Sequence, residues 1–377
     1  MKIAILGNPE NRRVQQFAQS FGEKEHCGVL SFLEVLEHPD RLPELLAGVD
    51  CLKIESSGEN HEVFQQILAW GAEEEDRIVQ NPISKAEALS LPFDMGLIQH
   101  SRQWYLGLQK FLRQIEKVAE QQHIHLLNTP RAILQMADKV QTHQLLEKNG
   151  IPKVPYLGVI ENYEDLRNLI SDTGFKRLFL KLAHASSASG VMAYQCKGEK
   201  ELLISSATLV VENGKPKVYN SLKLKRYTNH QEIRILIDTL AKQYLLAERW
   251  VPKKEFEGDT FDLRLVYINQ EVEHAVMRSS KQPMTNLHLG NKRGNLESLK
   301  LSLGTEKWCE IQEVVQKAVT VFDGAHVAGV DLLLTGKHYR PKVIEANAFG
   351  DLLPNIVNAR GESTYQSQIR YLKNNAN

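Results

Sequence analysis

VAGVDLLLTGKHYRPKVIEAN, residues 327–347, reads as a β-hairpin that sets two carboxylates face to face. Val327 to Thr335 is apolar and β-branched, Gly336 and Lys337 open a turn, and Pro341 to Asn347 returns as a second strand. With a five-residue loop, Gly336 to Arg340, Thr335 pairs with Pro341 and Asp331 falls opposite Glu345. Facing side chains on paired strands lie roughly 4.5–5.5 Å apart at Cβ, where like charges destabilise unless a cation neutralises them. Asn347 shares the face of Glu345 because strand side chains alternate. Two carboxylates and an amide oxygen form a hard-oxygen set suited to Mg²⁺. The competing reading is a solvated hairpin end with ordinary polar residues.

The rest of the chain sets the frame for that hairpin. At 377 residues it exceeds one ordinary core, and 42% hydrophobic with 24% charged residues describes a globular protein. Lys plus Arg and Asp plus Glu both number 46, so no overall basic field recruits nucleic acid or anionic lipid. Any phosphate binding must be local. Cys27, Cys51, Cys196 and Cys309 lack CxxC spacing, which disfavours zinc ribbons and disulfide scaffolds and fits reduced thiols in the cytoplasm. No apolar run reaches the length of a membrane span, and MKIAILGNPENRR turns polar too soon for a secretory signal. The last residues, from Lys373, read as a frayed tail.

Three parts follow in order. The first, residues 1–125, opens with strand Ile3 to Leu6, the turn Gly7-Asn8-Pro9 and a helical pattern, the start of an α/β layer. GxGxxG is absent, which disfavours a dinucleotide fold. Asn8, Glu10, Asn11, Arg12 and Arg13 follow one strand; Glu55 to Asn60 follow a second, Cys51 to Ile54. Loops at strand carboxyl ends line ligand crevices in α/β sheets, so this face is expected to receive substrate. In the helical run from Ser101, Trp104 and Leu108 are expected in the core.

In the second part, residues 126–252, Asp138 caps a helix that closes at Gly150, leaving Lys139 in a first turn where the dipole disfavours a cation. Such a lysine wants an anion. Lys181 sits inside the apolar strand LFLKLA, and lysine is rarely buried without a partner. AHASSASGV, residues 183–191, has the small residues that let backbone amides approach phosphate. Glu248 and Trp250 lie at the end of strand YLLAERWV.

In the third part, residues 253–377, strand FDLRLVYI and its return EVEHAVMR carry Asp262, Arg264 and Arg278. A two-residue turn at Asn269 and Gln270 pairs Asp262 with Met277; a three-residue connection including Glu271 sets Asp262 against Arg278. The second is favoured because it gathers two arginines and an aspartate on one surface. PMTNLHLGNKRG, residues 283–294, is a loop in which His288 reads as a hydrogen-bonding residue, and the helix with Ile311, Val315 and Phe322 is a support.

In sequential order, Asp138-Lys139, Lys181 before a loop ending at Gly190, Glu248, Asp262-x-Arg264, Arg278, Thr285-Asn286-Leu287-His288, Val330-Asp331 and Glu345-x-Asn347 resemble the ATP-grasp superfamily. The resemblance is strongest to the branch of glutathione synthetase and the ribosomal-protein glutamate ligase, and it covers roughly residues 129–369. GNPENRR, SSASG, TNLHLGN and NAFGDLLP further resemble a bacterial ATP-grasp subfamily, a match that names no substrate. The implied fold class is mixed α/β and α+β, an N-terminal α/β domain before a two-lobed ATP-grasp fold.

The resemblance also implies roles. Lys139 and Lys181 would hold ATP phosphates, Lys181 lying near the adenine as well, under the loop with Ser187, Ser189 and Gly190. Glu248, Arg249 and Trp250 would hold adenine and ribose, with Asp262 and Asn286 also assigned to nucleotide. Asp331, Glu345 and Asn347 would hold Mg²⁺, for which Mn²⁺ is a permitted substitute. Arg278 and Arg264 would be the catalytic cations, with Arg264 and the loops around Asn11 and Glu59 selecting substrate. The Ser-rich loop departs from the more glycine-rich family pattern.

The implied reaction is ligation of a carboxylate to an amine through an acyl phosphate, with small-molecule or peptide substrates. Neither nucleic acid nor membrane is an expected partner, and a homodimer is compatible. The rival readings are a nucleotide-binding or scaffold protein without turnover and a kinase-like enzyme that stops after phosphoryl transfer.

Overall fold

The computed structural model describes residues 1–22, 27–349, 353 and 355–375, with the side chain of His288 excepted. The Gly350 to Leu352 and Pro354 portion of the NAFGDLLP match, and the last two residues of the tail, lie outside them.

Apolar runs of the expected kind form the first sheet, whose strands are β1 (Ile3–Gly7), β2 (Cys27–Ser31), β3 (Cys51–Ile54) and β4 (His125–Leu126). All are parallel, in the order β2-β1-β3-β4. Parallel strands need helical crossovers, and those helices cover the sheet. Asn11 and Asn60 cap the helices after β1 and β3 by accepting hydrogen bonds from Arg13 N and Val63 N.

Two of the covering helices, His61–Gly71 and Ser101–Gln121, touch through glycine. A Cβ on Gly107 would overlap the carbonyl oxygen of Ile67, and one on Gly71 that of Gln103. Gly107→Ala must therefore force the helix backbones apart. Overpacking costs roughly 1–3 kcal/mol, more than the ~1 kcal/mol helix propensity that alanine returns. A lower denaturant midpoint is expected, and an unchanged one would contradict the close crossing.

The second sheet contains β5 (Tyr156–Ile160), β6 (Arg177–Leu182), β7 (Met192–Lys197), β8 (Lys200–Glu212), β9 (Lys215–Tyr227) and β10 (Leu245–Arg249), in the order β5-β10-β6-β7-β8-β9. Helices Tyr163–Thr173 and His230–Ala241 close its own core, around Leu166, Leu180, Tyr194 and Leu236. The third sheet contains β11 (Glu255–Phe256), β12 (Asp259–Ile268), β13 (Glu271–Ser280), β14 (Lys292–Arg293), β15 (Val327–Thr335) and β16 (Arg340–Asn347). Its main path is β14-β13-β12-β15-β16, with β11 on β12.

One large core joins the first and third sheets. Leu52, Phe111 and Ile115 share it with Leu263, Val315 and Leu332. Helices Pro130–Ala137 and Lys139–Lys148 contribute Ile133 and Leu146 to that core, whereas Val140 turns toward Ala183 and Leu246 of the second sheet. The chain that leaves the second helix toward β5 is clasped to β16: Val343 N donates to Pro152 O at 2.9 Å and Val154 N to Val343 O at 3.0 Å. The second and third sheets thus meet along a seam.

Both hairpins of the third sheet reach the expected facing pairs by an unexpected route. Asp331 faces Glu345, yet Thr335 pairs with Arg340 and not Pro341, so the loop is four residues, Gly336 to Tyr339. A bulge at Ile344 restores the one-residue offset. Asp262 faces Arg278, yet the turn is the two residues Asn269 and Gln270, both with positive φ (45° and 70°). Ile268 pairs with Glu271, and a bulge at Glu273 supplies the offset assigned from sequence to a three-residue turn.

Among the described residues, no helix is long and apolar enough to cross a membrane, and all four cysteines are unpaired.

Candidate active site

A cleft of about 880 Å³, counting space open to solvent, lies along the seam. Val154, Phe179, Met284 and Leu333 are among its apolar lining. Five cations (Lys139, Lys181, Arg249, Lys253, Arg278) and four carboxylates (Glu248, Asp262, Asp331, Glu345) also line it. Apolar walls with a few convergent charges, in a cleft of this size, suit a small-molecule ligand.

Lys181 lies on β6 and Glu248 on the neighbouring β10, where Leu246 faces Lys181; two residues on, Glu248 points to the same side of the sheet. Its Oε2 is 2.7 Å from Lys181 Nζ. Glu248 Oε1 pairs at 2.9 Å with His143 Nε2, whose ring stacks on Tyr156. Burial would raise the Glu248 carboxyl, but Lys181 and His143 outweigh it and hold it down at about 2. Burial would likewise lower Lys181, and Glu248 and Glu345 reverse that to a net rise. The pair is charged at neutral pH.

The sign of the resulting pH dependence is set by the depressed Glu248 value. Its stabilisation is full above the ordinary glutamate value near 4.5 and is lost as pH falls toward 2. Glu248→Gln is therefore expected to be less stable than the wild type at pH 7, with the gap closing between pH 4.5 and 2. Denaturant melts across that range check it, and a gap independent of pH would refute the assignment.

Asp138 caps the helix bearing Lys139, accepting from Val140 N and Gln141 N at 2.9 and 3.1 Å. Lys139 donates from its backbone N to Ala183 O and from Nζ to Ala185 O, at 3.1 and 2.5 Å. Burial pushes its pKa down, against the pull of Glu345. Above it runs the small-residue loop. Ser187 and Ala188 take left-handed backbone (φ 54° and 57°), and the buried Ser206 hydroxyl donates to Ala188 O at 2.6 Å and accepts from Val191 N at 3.2 Å. Ser186, Ser187 and Ser189 line the cleft.

On the third sheet, Arg278 Nε donates to Asp262 Oδ1 at 2.7 Å and its NH2 sits 3.1 Å from Asp331 Oδ2. Arg264 Nε lies 2.5 Å from Asp331 Oδ1. Lys253 Nζ donates to Asp262 Oδ2 and Thr285 Oγ1 at 3.0 and 2.7 Å, and Thr285 itself donates to Asp262. Asn347 Nδ2 donates to Glu345 Oε1 at 3.3 Å. Burial and the neighbouring Glu345 raise Asp331 to about 6 against Arg264 and Arg278, while Lys139, Lys181 and Arg264 hold Glu345 at about 2 despite its burial. The two facing carboxylates resist joint ionisation.

A divalent cation fits this donor set. Asp331 Oδ1 is buried and accepts no aligned hydrogen bond despite the Arg264 contact, and Glu345 and the Asn347 amide lie beside it. Among the described residues no group of three or more His, Cys, Asp or Glu side chains is arranged for a metal.

Lys139, Lys181, Ser187, Ser189, Glu248, Arg249, Asp262, Asn286, Arg278, Asp331 and Glu345 line one cleft. Arg264 and Asn347 reach it through Asp331 and Glu345. Gly190 stands behind the loop, where a Cβ would press on Leu182 and Ile98, and Trp250 backs Phe179 with centroids 5.1 Å apart. The Arg249 guanidinium lies over Phe175. His143 and Lys253 escaped the sequence reading because nothing near either in the chain announces Glu248 or Asp262 as its partner. The loops after β1 and β3 do meet: Asn8 donates to Gly58 O, Asn11 to Glu59 and Asn60 to Glu10.

No family model matches the chain. It is 25% identical over 242 residues to the coenzyme gamma-F420-2:alpha-L-glutamate ligase of Methanococcus maripaludis, covering 64% of this chain and 68% of that protein. Over 267 residues it is 26% identical to the ribosomal protein bS6–L-glutamate ligase of Escherichia coli O139:H28, covering 70% and 71%. The ATP-grasp ligase PsnB, solved with a precursor variant, Mg and ADP, superposes with a TM-score of 0.54 at 12% identity, covering 100% of this chain and 98% of that one. With its sheets, cleft and ordered motif residues as described, the chain has the fold of the ATP-grasp ligases and is similar in sequence to these glutamate ligases.

Proposed function

We propose that the protein joins a carboxylate to an amine at the expense of Mg²⁺-bound ATP, through an acyl phosphate. The observation that carries this is the meeting, in one cleft, of Lys139 and Lys181 with the facing Asp331 and Glu345 and with Arg278. The apolar lining with Glu248 suits a nucleobase, and Lys139, Lys181 and the loop 185–189 suit its phosphates. Asp331, Glu345 and Asn347 would hold Mg²⁺, which when bound neutralises charge on the triphosphate.

A carboxylate is a poor acylating agent because oxide is a bad leaving group. Its oxygen attacks the γ-phosphorus and ADP leaves; the amine then attacks the acyl carbon and phosphate leaves. Catalysis of such transfers is mostly positioning and charge neutralisation. Arg278 and Arg264 are held on rigid strands by Asp262 and Asp331, so their charge is in place before reaction and costs no reorganisation. Lys253, on Asp262 and Thr285, adds a third cation to the same floor. The loop over Lys139 screens the acyl phosphate from water.

Turnover on a panel of acids and amines, small-molecule and peptide, tests the reading. ADP and phosphate release that requires both an acid and Mg²⁺, with a hydroxamate formed when hydroxylamine replaces the amine, is expected. Nucleotide binding without release across the panel would favour a non-catalytic binding protein. A stable phosphate ester would mark a kinase.

A further inference from the structure

The nucleotide loop is gripped at both ends by a segment of the N-terminal part. Residues 96–98 lie on the edge strand β9: Asn220 N donates to Gly96 O at 2.7 Å and Ile98 N to Val218 O at 2.9 Å. Ile98 then packs beneath Gly190, at the loop's far end. Ser101 fixes the start of the following helix by donating from N and Oγ to Gln243, at 3.1 and 2.9 Å.

Arg102 takes the near end. Its guanidinium lies 5.4 and 5.2 Å from the ring centroids of Tyr105 and Tyr244. NH2 donates to Asp76 Oδ2 at 2.6 Å; NH1 is 3.0 Å from His184 Nε2 and 3.7 Å from Asp138 Oδ2. Guanidinium only donates, so His184 Nε2 must accept, and the ring proton sits on Nδ1, 3.4 Å from Ala137 O. His184 is stacked flat on Tyr105 with centroids 4.0 Å apart. Burial and the Arg102 charge both keep it neutral. It is flanked by Ala183 and Ala185, whose carbonyls receive Lys139, while Asp138 caps the Lys139 helix.

We propose that Arg102 is a positioning residue for nucleotide binding. From the N-terminal part it fixes His184 and Asp138, and through them the loop stem and Lys139. The inference rests on the nucleotide reading above, and it makes order in the phosphate site depend on a domain that need not touch the nucleotide.

Affinity for a non-hydrolysable ATP analogue with Mg²⁺, measured by calorimetry on the full chain, needs no knowledge of the substrates. Arg102→Met is expected to weaken it about tenfold, the scale of one lost charged hydrogen bond. His184→Ala should lose no more than that, and the double variant should be no worse than Arg102→Met alone, because loss of the arginine already removes its link to His184. Asp76→Asn leaves the arginine in place and should weaken binding in the same direction, which serves if Arg102→Met folds poorly. Unchanged affinity with a lower unfolding midpoint, or additive losses in the double variant, would overturn the proposal and leave the nucleotide reading intact. Failure of the wild type to bind the analogue would overturn both.

Discussion

Glu345→Ala is expected to abolish Mg²⁺-dependent ADP formation, with a loss of at least about 10³-fold, while leaving the protein folded. Glu345 supplies one of only two carboxylates in the candidate metal set, and its charge is shared with Lys139 and Lys181. Losing one preorganised electrostatic group in a dry site already costs roughly 10²–10³ in rate. Here the variant loses a cation ligand and a counter-charge together. Stability moves little because two effects oppose: the lysines lose an attractive partner, and Asp331 loses the like charge that raises it. ADP release titrated with Mg²⁺, beside a denaturant melt, checks both halves. Normal turnover in the variant would remove Glu345 from the metal site.

Arg278→Met is the second large effect, and it strikes stability as well as turnover. Arg278 bridges Asp262 and Asp331, both buried, at 2.7 and 3.1 Å. Removing one partner of a buried ion pair costs roughly 3–5 kcal/mol, since the other charge stays behind in low dielectric. Lys253 and Arg264 soften that loss at the two carboxylates, so the expected destabilisation lies near the lower bound. Turnover should fall below detection. Arg278→Lys separates the two effects: its charge restores part of the stability, but a point ammonium cannot span two carboxylates as a planar fork does, so turnover stays low. A lysine variant with full activity would show that only net charge matters there.

The elements that hold the site were readable in the chain because each has a local cause. A lysine inside an apolar strand needs a partner, and Lys181 has Glu248. A capping aspartate before Lys139 starts the helix where it is found. Trp250, which the resemblance set beside adenine and ribose, does not line the cleft: it faces Arg177 and braces Phe179, which does. Arg102 gave no signal of its function at all, being one polar residue in a helical run. Its partners Asp76, Asp138 and His184 are scattered over more than a hundred residues of chain and converge only on folding.

What the amino-acid order alone determined was the strands and helices that carry the motif residues, the order of those residues and the chemical nature of the donors, since propensity, capping and alternation act over a few residues. Register belonged to the tertiary structure. Asp331 meets Glu345, and Asp262 meets Arg278, through a tighter turn and a bulge in each hairpin, not through the longer loops that spacing suggested. Period-two alternation cannot say where an extra residue is inserted, because a bulge and a longer turn shift the distant pairs equally. The choice between them falls to packing against neighbouring strands, and so does the meeting of His143, Lys253 and Arg102 with carboxylates and rings from other parts of the chain.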